Sequence, residues 1–259
     1  MRSARREKKK KNRQLIAVML LAFAIFLVFG LLIMTKCSGE GKRTDETTVT
    51  QNAAAEQETT EYVPDADSEY LILVNKHNKI DEDYKPDDLV LPDYRASDRP
   101  DGNQYLRKAA AEAFNKLAAD AGKEGHTIAV TTAFRPGSFQ KQLYDNYVRK
   151  DGREKADTYS ARPGYSEHQT GLAADISSPG MGYELTRAFG DTEEGIWVAE
   201  NCHKYGFIIR YPDGKENITG YSYEPWHLRY VGIEDAGRIY KKGVTLEEYL
   251  GQEPAPDYE

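Results

Sequence analysis

The chain has 259 residues, 39% of them hydrophobic and 11% aromatic, which suits one ordinary globular domain plus appendages and excludes a wholly disordered polymer. Its formal charge of −7 is unevenly placed: residues 1–14 carry eight Lys or Arg against Glu7 alone, making this arm +7 and the remainder −14. The two cysteines, Cys37 and Cys202, lie too far apart to suggest a disulfide framework, so stability has to come from packing or a metal.

A basic arm alone would suit nucleic acid. The apolar run after it argues against that partner. Leu15 to Met34 reads LIAVMLLAFAIFLVFGLLIM, twenty residues without a charge, and a helix rising about 1.5 Å per residue would carry them across a hydrocarbon core of about 30 Å. The expectation is a transmembrane signal-anchor over residues 15–34. The Lys and Arg before the span orient the N-terminus, residues 1–14, towards the cytoplasm and place the rest of the chain outside the cell. The apolar run is longer than the core of a cleaved signal peptide and no clean small-x-small site comes after it. Lys36, standing where a small residue would precede a lipidated Cys37, argues against an acyl anchor.

Residues 35–68 are rich in Thr, Glu, Gln, Ala and Asp and poor in large apolar residues, so they read as a disordered extracellular linker. A folded domain is expected over residues 69–251, followed by a C-terminal tail, 252–259. Within the domain, Tyr70 to Val74 reads as a short strand. The apolar spacing of Leu106, Ala110, Ala113, Phe114 and Leu117, closed by Gly122, predicts an amphipathic helix over residues 103–121. Thr127 to Thr132 reads as a strand, and a second helix is expected from Ser138 through Val148. Leu172–Ile176, Phe207–Tyr211 and Trp226–Tyr230 read as further strands, with a helix over Glu193–Tyr205. Irregular spacing and the lack of a Gly-rich phosphate loop favour an α+β domain, a mainly antiparallel sheet with flanking helices, over a doubly wound fold. No internal repeat is visible, and the residues imply no particular oligomeric state.

Two segments carry chemistry. In Gly164 to Ile176, His168 and Asp175 stand seven residues apart, and the small Gly171, Ala173 and Ala174 keep the chain between them slim. Catalytic zinc takes three protein ligands from this palette and keeps a position open for water. The second segment, Glu224-Pro225-Trp226-His227, offers a third ligand, His227, and a carboxylate, Glu224, able to take a proton from water. Pro225 makes this a loop entering a strand, unlike the helical H-E-x-x-H arrangement.

The pattern Ser166-x-His168-x-x-Gly171-x-Ala173-x-Asp175 followed by Glu224-x-Trp226-His227 resembles the VanY-like D-alanyl-D-alanine carboxypeptidases, a class that includes L,D-carboxypeptidases and D-Ala-D-Ala dipeptidases. The likeness runs from about Leu71 to Leu250 and takes in Leu73-Val74-Asn75-Lys76, Asp83-Tyr84-Lys85-Pro86, Phe134-Arg135, Gln140 and Leu143-Tyr144. It implies the α+β fold of zinc D,D-peptidases, one zinc ion on His168, Asp175 and His227, Glu224 as general base and Arg135 beside the scissile carbonyl, where a fixed guanidinium would stabilise the developing oxyanion. Ser166 and Gln140 would be contacts to the substrate or to the residues behind it. The implied activity is removal of the C-terminal D-Ala from peptidoglycan stem pentapeptides, with L,D-carboxypeptidase action on the tetrapeptide as the alternative. One departure stands out: Pro136-Gly137 succeeds Arg135 where the family more often has Ser and an aromatic residue.

Two rivals are weaker. Ser138-Phe139-Gln140-Lys141 matches the S-x-x-K nucleophile motif of penicillin-binding serine enzymes, but no S-x-N or K-T-G partner accompanies it. A tethered, non-catalytic, zinc-stabilised wall-binding module would need a closed metal site, whereas three ligands are evident. His77 and His126 read as solvated; His203 and Cys202, adjacent on a helix, point in different directions and do not read as a metal pair, and Cys202 reads as a small buried side chain.

Overall fold

The computed structural model describes residues 64–65 and 68–258, all within the unit Thr60–Glu259. The basic arm, the expected anchor at 15–34 and almost all of the expected linker lie outside the described residues. Among the described residues no helix is long and apolar enough to cross a membrane.

In chain order the elements are β1 (Leu89–Val90), β2 (Leu106–Arg107), α1 (Lys108–Lys123), β3 (Ala129–Thr132), α2 (Gly137–Asp151), α3 (Arg153–Ala156), β4 (Ala173–Ser177), α4 (Glu193–Asn201), β5 (Phe207–Ile209), α5 (Glu216–Thr219), β6 (His227–Tyr230), α6 (Ile233–Lys242) and α7 (Leu246–Tyr249). Strands β3, β4, β6 and β5 form a sheet in that order, every neighbour antiparallel, and β1 pairs with β2 in a separate two-stranded ribbon. The α+β expectation holds for the described domain.

Helix α1 is built from alanine and other good helix formers. It buries Ala110, Ala111, Phe114, Leu117, Ala118 and Ala121, a stripe at helical spacing, into a core shared with Val130, Ile176, Phe189, Phe207 and Leu228. Phe114 meets Phe207 edge to face, with ring centres 6.3 Å apart, so the helix packs against the sheet through β5. Its start differs from the expectation. Asp101–Asn103 make a separate 3-10 turn and Leu106–Arg107 are held extended, because Arg107 N donates to Gly171 O and the pair is bonded to β1. The helix expected over Glu193–Tyr205 is α-helical to Asn201 and tightens into a 3-10 turn over Cys202–Tyr205, closed by Gly206 in the left-handed region.

Tyr70–Val74 is not a strand. Arg229 Nη2 donates to the Tyr70 and Ile72 carbonyls at 3.0 and 2.6 Å, so side-chain bonds hold a segment that has no ladder partner. Helix α6, with Ala236 and Ile239 buried against Ile208 and Leu246, is an element that the sequence reading does not place. The last residues lie along the domain: Ala255 is fully buried, and the Tyr258 hydroxyl accepts from Arg162 N at 2.9 Å while its ring lies against the Arg162 guanidinium.

Candidate active site

Three local devices bring the site together. Asp175 in β4 is the cross-strand partner of His227 in β6, and on its other side it is paired with Thr132 across an irregularity in β3. His168 arrives separately, on a 3-10 turn over Glu167–Thr170 that ends at Gly171 with φ of 69°. A β-carbon at Gly171 would meet Leu89 Cδ2 at 2.9 Å and Arg107 Cγ at 3.0 Å, so both the turn and its close packing need glycine. The Glu224 loop is pinned at both ends: Glu224 N donates to Tyr211 O, His227 N to Glu224 O, and Ile176 N to Trp226 O.

The three expected ligands converge and are buried. His168 Nε2 stands 3.3 Å from Asp175 Oδ2 and His227 Nδ1 stands 3.0 Å from Asp175 Oδ1, with all three donor atoms within 4.8 Å of one another. Asp175 Oδ1 has no hydrogen-bond partner despite its burial. A buried carboxylate that turns one oxygen to each of two imidazole nitrogens, with no hydrogen-bond partner on Oδ1, fits a cation held between the three side chains. The other nitrogen of His168, Nδ1, lies 2.7 Å from Ala133 O, which orients the ring.

Glu224 stands beside this group and outside it, with Oε2 at 3.8 Å from His227 Nδ1 and its side chain 18% exposed. Burial raises its carboxyl to about 7, against the lowering effect of His227. Burial alone would lower His227, but Asp175 and Glu167 outweigh it and raise the imidazole to about 9. Asp175 is held well below the usual carboxylate range: burial opposes this, and the two histidines prevail.

Arg135 lines the same cavity, which is about 300 Å³ and is also walled by Ser166, Tyr211, Tyr221, Trp226 and Tyr147. No carboxylate of the described residues forms an ion pair with it. Its Nη1 donates to Gln140 Oε1 at 2.8 Å, and Gln140 Nε2 donates to Ala161 O. Gln140 is therefore buried behind Arg135, with both ends of its amide engaged, and it orients the guanidinium from there. Pro136-Gly137 does not displace Arg135: its N–H donates to His168 O, Pro136 caps the start of α2, and a β-carbon on Gly137 would lie 2.2 Å from Glu82 O. Gly137, having no β-carbon, is what lets α2 start against the Glu82 loop.

Glu167 is the residue that the sequence reading missed. It is buried, with Oε1 accepting from Arg210 Nε and Arg229 Nη1, each at 2.7 Å, and Oε2 lies 3.6 Å from His227 Nε2. Burial would raise its carboxyl, but Arg210 and Arg229 hold it well below the usual range. Its place next to His168 was the available signal. Its partners, 43 and 62 residues downstream, were not visible.

The remaining histidines lie elsewhere: His203 stacks on Tyr240 at 3.7 Å, His126 lies against Trp197, and His77 Nε2 is 3.0 Å from Asp257 O. Cys202 is buried, and burial pushes its thiol up to about 12, which makes it unreactive. Ser138, the would-be serine nucleophile, is exposed on α2 and absent from the cavity wall.

The family model for VanY, D-alanyl-D-alanine carboxypeptidase, matches residues 103–233, from the segment leading into α1 to the start of α6 and with the whole ligand group inside. The chain belongs to this family. It is 50% identical over 181 residues to YodJ of Bacillus subtilis strain 168, named as a putative carboxypeptidase, covering 70% of this chain and 66% of that one. The chain thus spans about two thirds of the length of this curated relative. The solved structure of the LdcB LD-carboxypeptidase is 49% identical with a TM-score of 0.67, covering 70% of this chain and 85% of that one. VanY from a VanB-type vancomycin resistance cassette, solved as a Glu-to-Ala mutant with Zn(II), is 35% identical with a TM-score of 0.59, covering 71% and 99%.

Proposed function

We propose that this chain is a zinc D-alanyl-D-alanine carboxypeptidase that removes the terminal D-Ala from peptidoglycan stem pentapeptides. The single observation that carries the reading is the convergence of His168, Asp175 and His227 with Glu224 placed just outside them, in a cavity that also presents Arg135. The family match and the zinc-bound VanY relative support the choice of metal and substrate.

His168 Nε2, an Asp175 carboxylate oxygen and His227 Nδ1 would hold the ion. When bound, zinc supplies Lewis acidity to the scissile carbonyl and lowers the pKa of water. Glu224, whose surroundings lift it towards neutrality, receives the water proton and passes it to the leaving amine. Arg135, fixed by Gln140, stabilises charge growing on the carbonyl oxygen. No covalent intermediate is required. Tyr211, Tyr221 and Trp226 supply aromatic walls to the same cavity.

The expected anchor at residues 15–34 supports a single-pass membrane protein with its catalytic domain outside the cell, where stem peptides are found. A second reading, L,D-carboxypeptidase action on the stem tetrapeptide, draws on the 49% identity to LdcB. Full-length protein incubated with defined stem tripeptide, tetrapeptide and pentapeptide, with products identified by mass, tests both. Loss of one D-Ala from the pentapeptide alone supports the first reading and cleavage of the tetrapeptide the second. Release of intact D-Ala-D-Ala, or no turnover with zinc bound, sinks both.

A further inference from the structure

We propose that Glu167 is a positioning residue for His227: its free carboxylate oxygen takes the imidazole Nε2 proton in a hydrogen bond and thereby presents an unprotonated Nδ1 to the cation. The inference rests on the zinc reading above.

Two unpartnered atoms carry it. Glu167 Oε2 and His227 Nε2 are both buried, neither has a hydrogen-bond partner, and they face each other at 3.6 Å. A movement of about half an ångström would bring them within hydrogen-bond distance. The other oxygen, Oε1, is already saturated by Arg210 and Arg229. Strand geometry explains the pairing, because His227 and Arg229 are two residues apart on β6 and point to the same side, where Glu167 meets both.

A purely structural role for Glu167 would need only Oε1. Arg210 is gripped on its far side by Glu247, with Nη1 at 2.9 Å from Oε2 and Nη2 at 2.6 Å from Oε1, and Glu247 Oε1 also takes Asn75 Nδ2. Two arginines and two glutamates balance without the histidine. The Glu167 carboxylate is thus already compensated, and its second oxygen can accept a hydrogen bond from a neutral imidazole. The two histidine ligands are then oriented by different means: His168 by the neutral Ala133 carbonyl, His227 by a carboxylate, which makes it the stronger donor to a metal. Arg210 and Arg229 fix that carboxylate more rigidly than a solvent-exposed acid could be fixed.

The test compares Glu167→Gln with Glu247→Gln in the full-length chain. Zinc affinity by competition with a chromogenic chelator, the visible spectrum of the Co(II)-loaded protein and the thermal midpoint are all measured. Glu167→Gln should weaken zinc binding by roughly tenfold to a hundredfold and shift the Co(II) bands. Glu247→Gln, at the far end of the same network, should lower the midpoint while leaving affinity within about twofold. Glu167→Asp, which keeps the charge, should recover part of the affinity. Unchanged affinity in Glu167→Gln, or parallel losses of affinity and midpoint in both Gln variants, overturns the proposal. If Glu167→Gln does not fold, the Asp variant decides, and wild-type affinity there overturns it too. Wild-type protein that binds no zinc would instead refute the zinc reading itself.

Discussion

Glu224 occupies a position that opposes folding, and its neutral isostere measures by how much. Burial lifts its carboxyl from 4.5 to about 7. Below about pH 4 the group is protonated in both folded and unfolded chains and contributes nothing to the pH dependence. Between those two values the unfolded chain releases the proton while the folded chain keeps it, so stability falls as pH rises, and the loss is complete above the folded value. At about 1.4 kcal/mol per unit the cost is on the order of 3 kcal/mol, or roughly 6 to 12 °C in Tm for a domain of this size. Glu224→Gln removes the charge and keeps the shape. In chelator, at pH 8, the metal-free variant should melt several degrees above wild type, with the gain vanishing towards pH 4, as read by calorimetry. With zinc restored it should lose kcat by about 10² to 10⁴ while keeping a full complement of metal. Equal midpoints across the pH range would show that burial of the carboxylate costs nothing, and a variant that turns over at wild-type speed would show that it is not the base.

Peptide hydrolysis should fall with chelators, return with zinc and persist in β-lactams, because no serine is acylated; complete β-lactam inhibition in the presence of zinc contradicts this. Arg135→Met should lower kcat by about 10² to 10³ in steady-state assays, and Gln140→Leu should lower it less, because Arg135 would remain in the cavity without its anchor. Gly171→Ala, which forces a side chain into the left-handed region and against Leu89 and Arg107, should cost about 1 to 3 kcal/mol in urea unfolding. Leu228→Ala, between His227 and Arg229 but facing the core, should cost about 2 to 5 kcal/mol in the same assay.

The three candidate ligands, Glu224 and the strands that carry them were legible because each is a local pattern: small residues around Asp175, an apolar run at Phe207, Pro225 forcing a loop before His227. Strand positions at β3, β4, β5 and β6 fall within a few residues of those expected. Tyr70–Val74 was misread because an apolar run says nothing about whether a ladder partner exists, and Arg229 supplies the bonds instead. Glu167 escaped for a related reason. Its significance comes from Arg210, Arg229 and Glu247, three residues far apart in the chain that only the fold assembles. Gln140 was assigned to the right neighbourhood, but sequence does not show which face of Arg135 an amide occupies, and the fold puts it behind the guanidinium.

The pairing of Asp175 with His227 across β4 and β6 ties the site to the zipper of the sheet itself. A slip of one residue along either strand would send one ligand to the opposite face, so an ion can bridge the two strands in a single alignment only. Binding to that alignment and to no other favours it by mass action. A bound cation would therefore stabilise the correct strand register over a slipped one, so that the site and the sheet alignment support each other. The turns ahead of these strands are bound to the same alignment, because one carries His168 and the other Glu224.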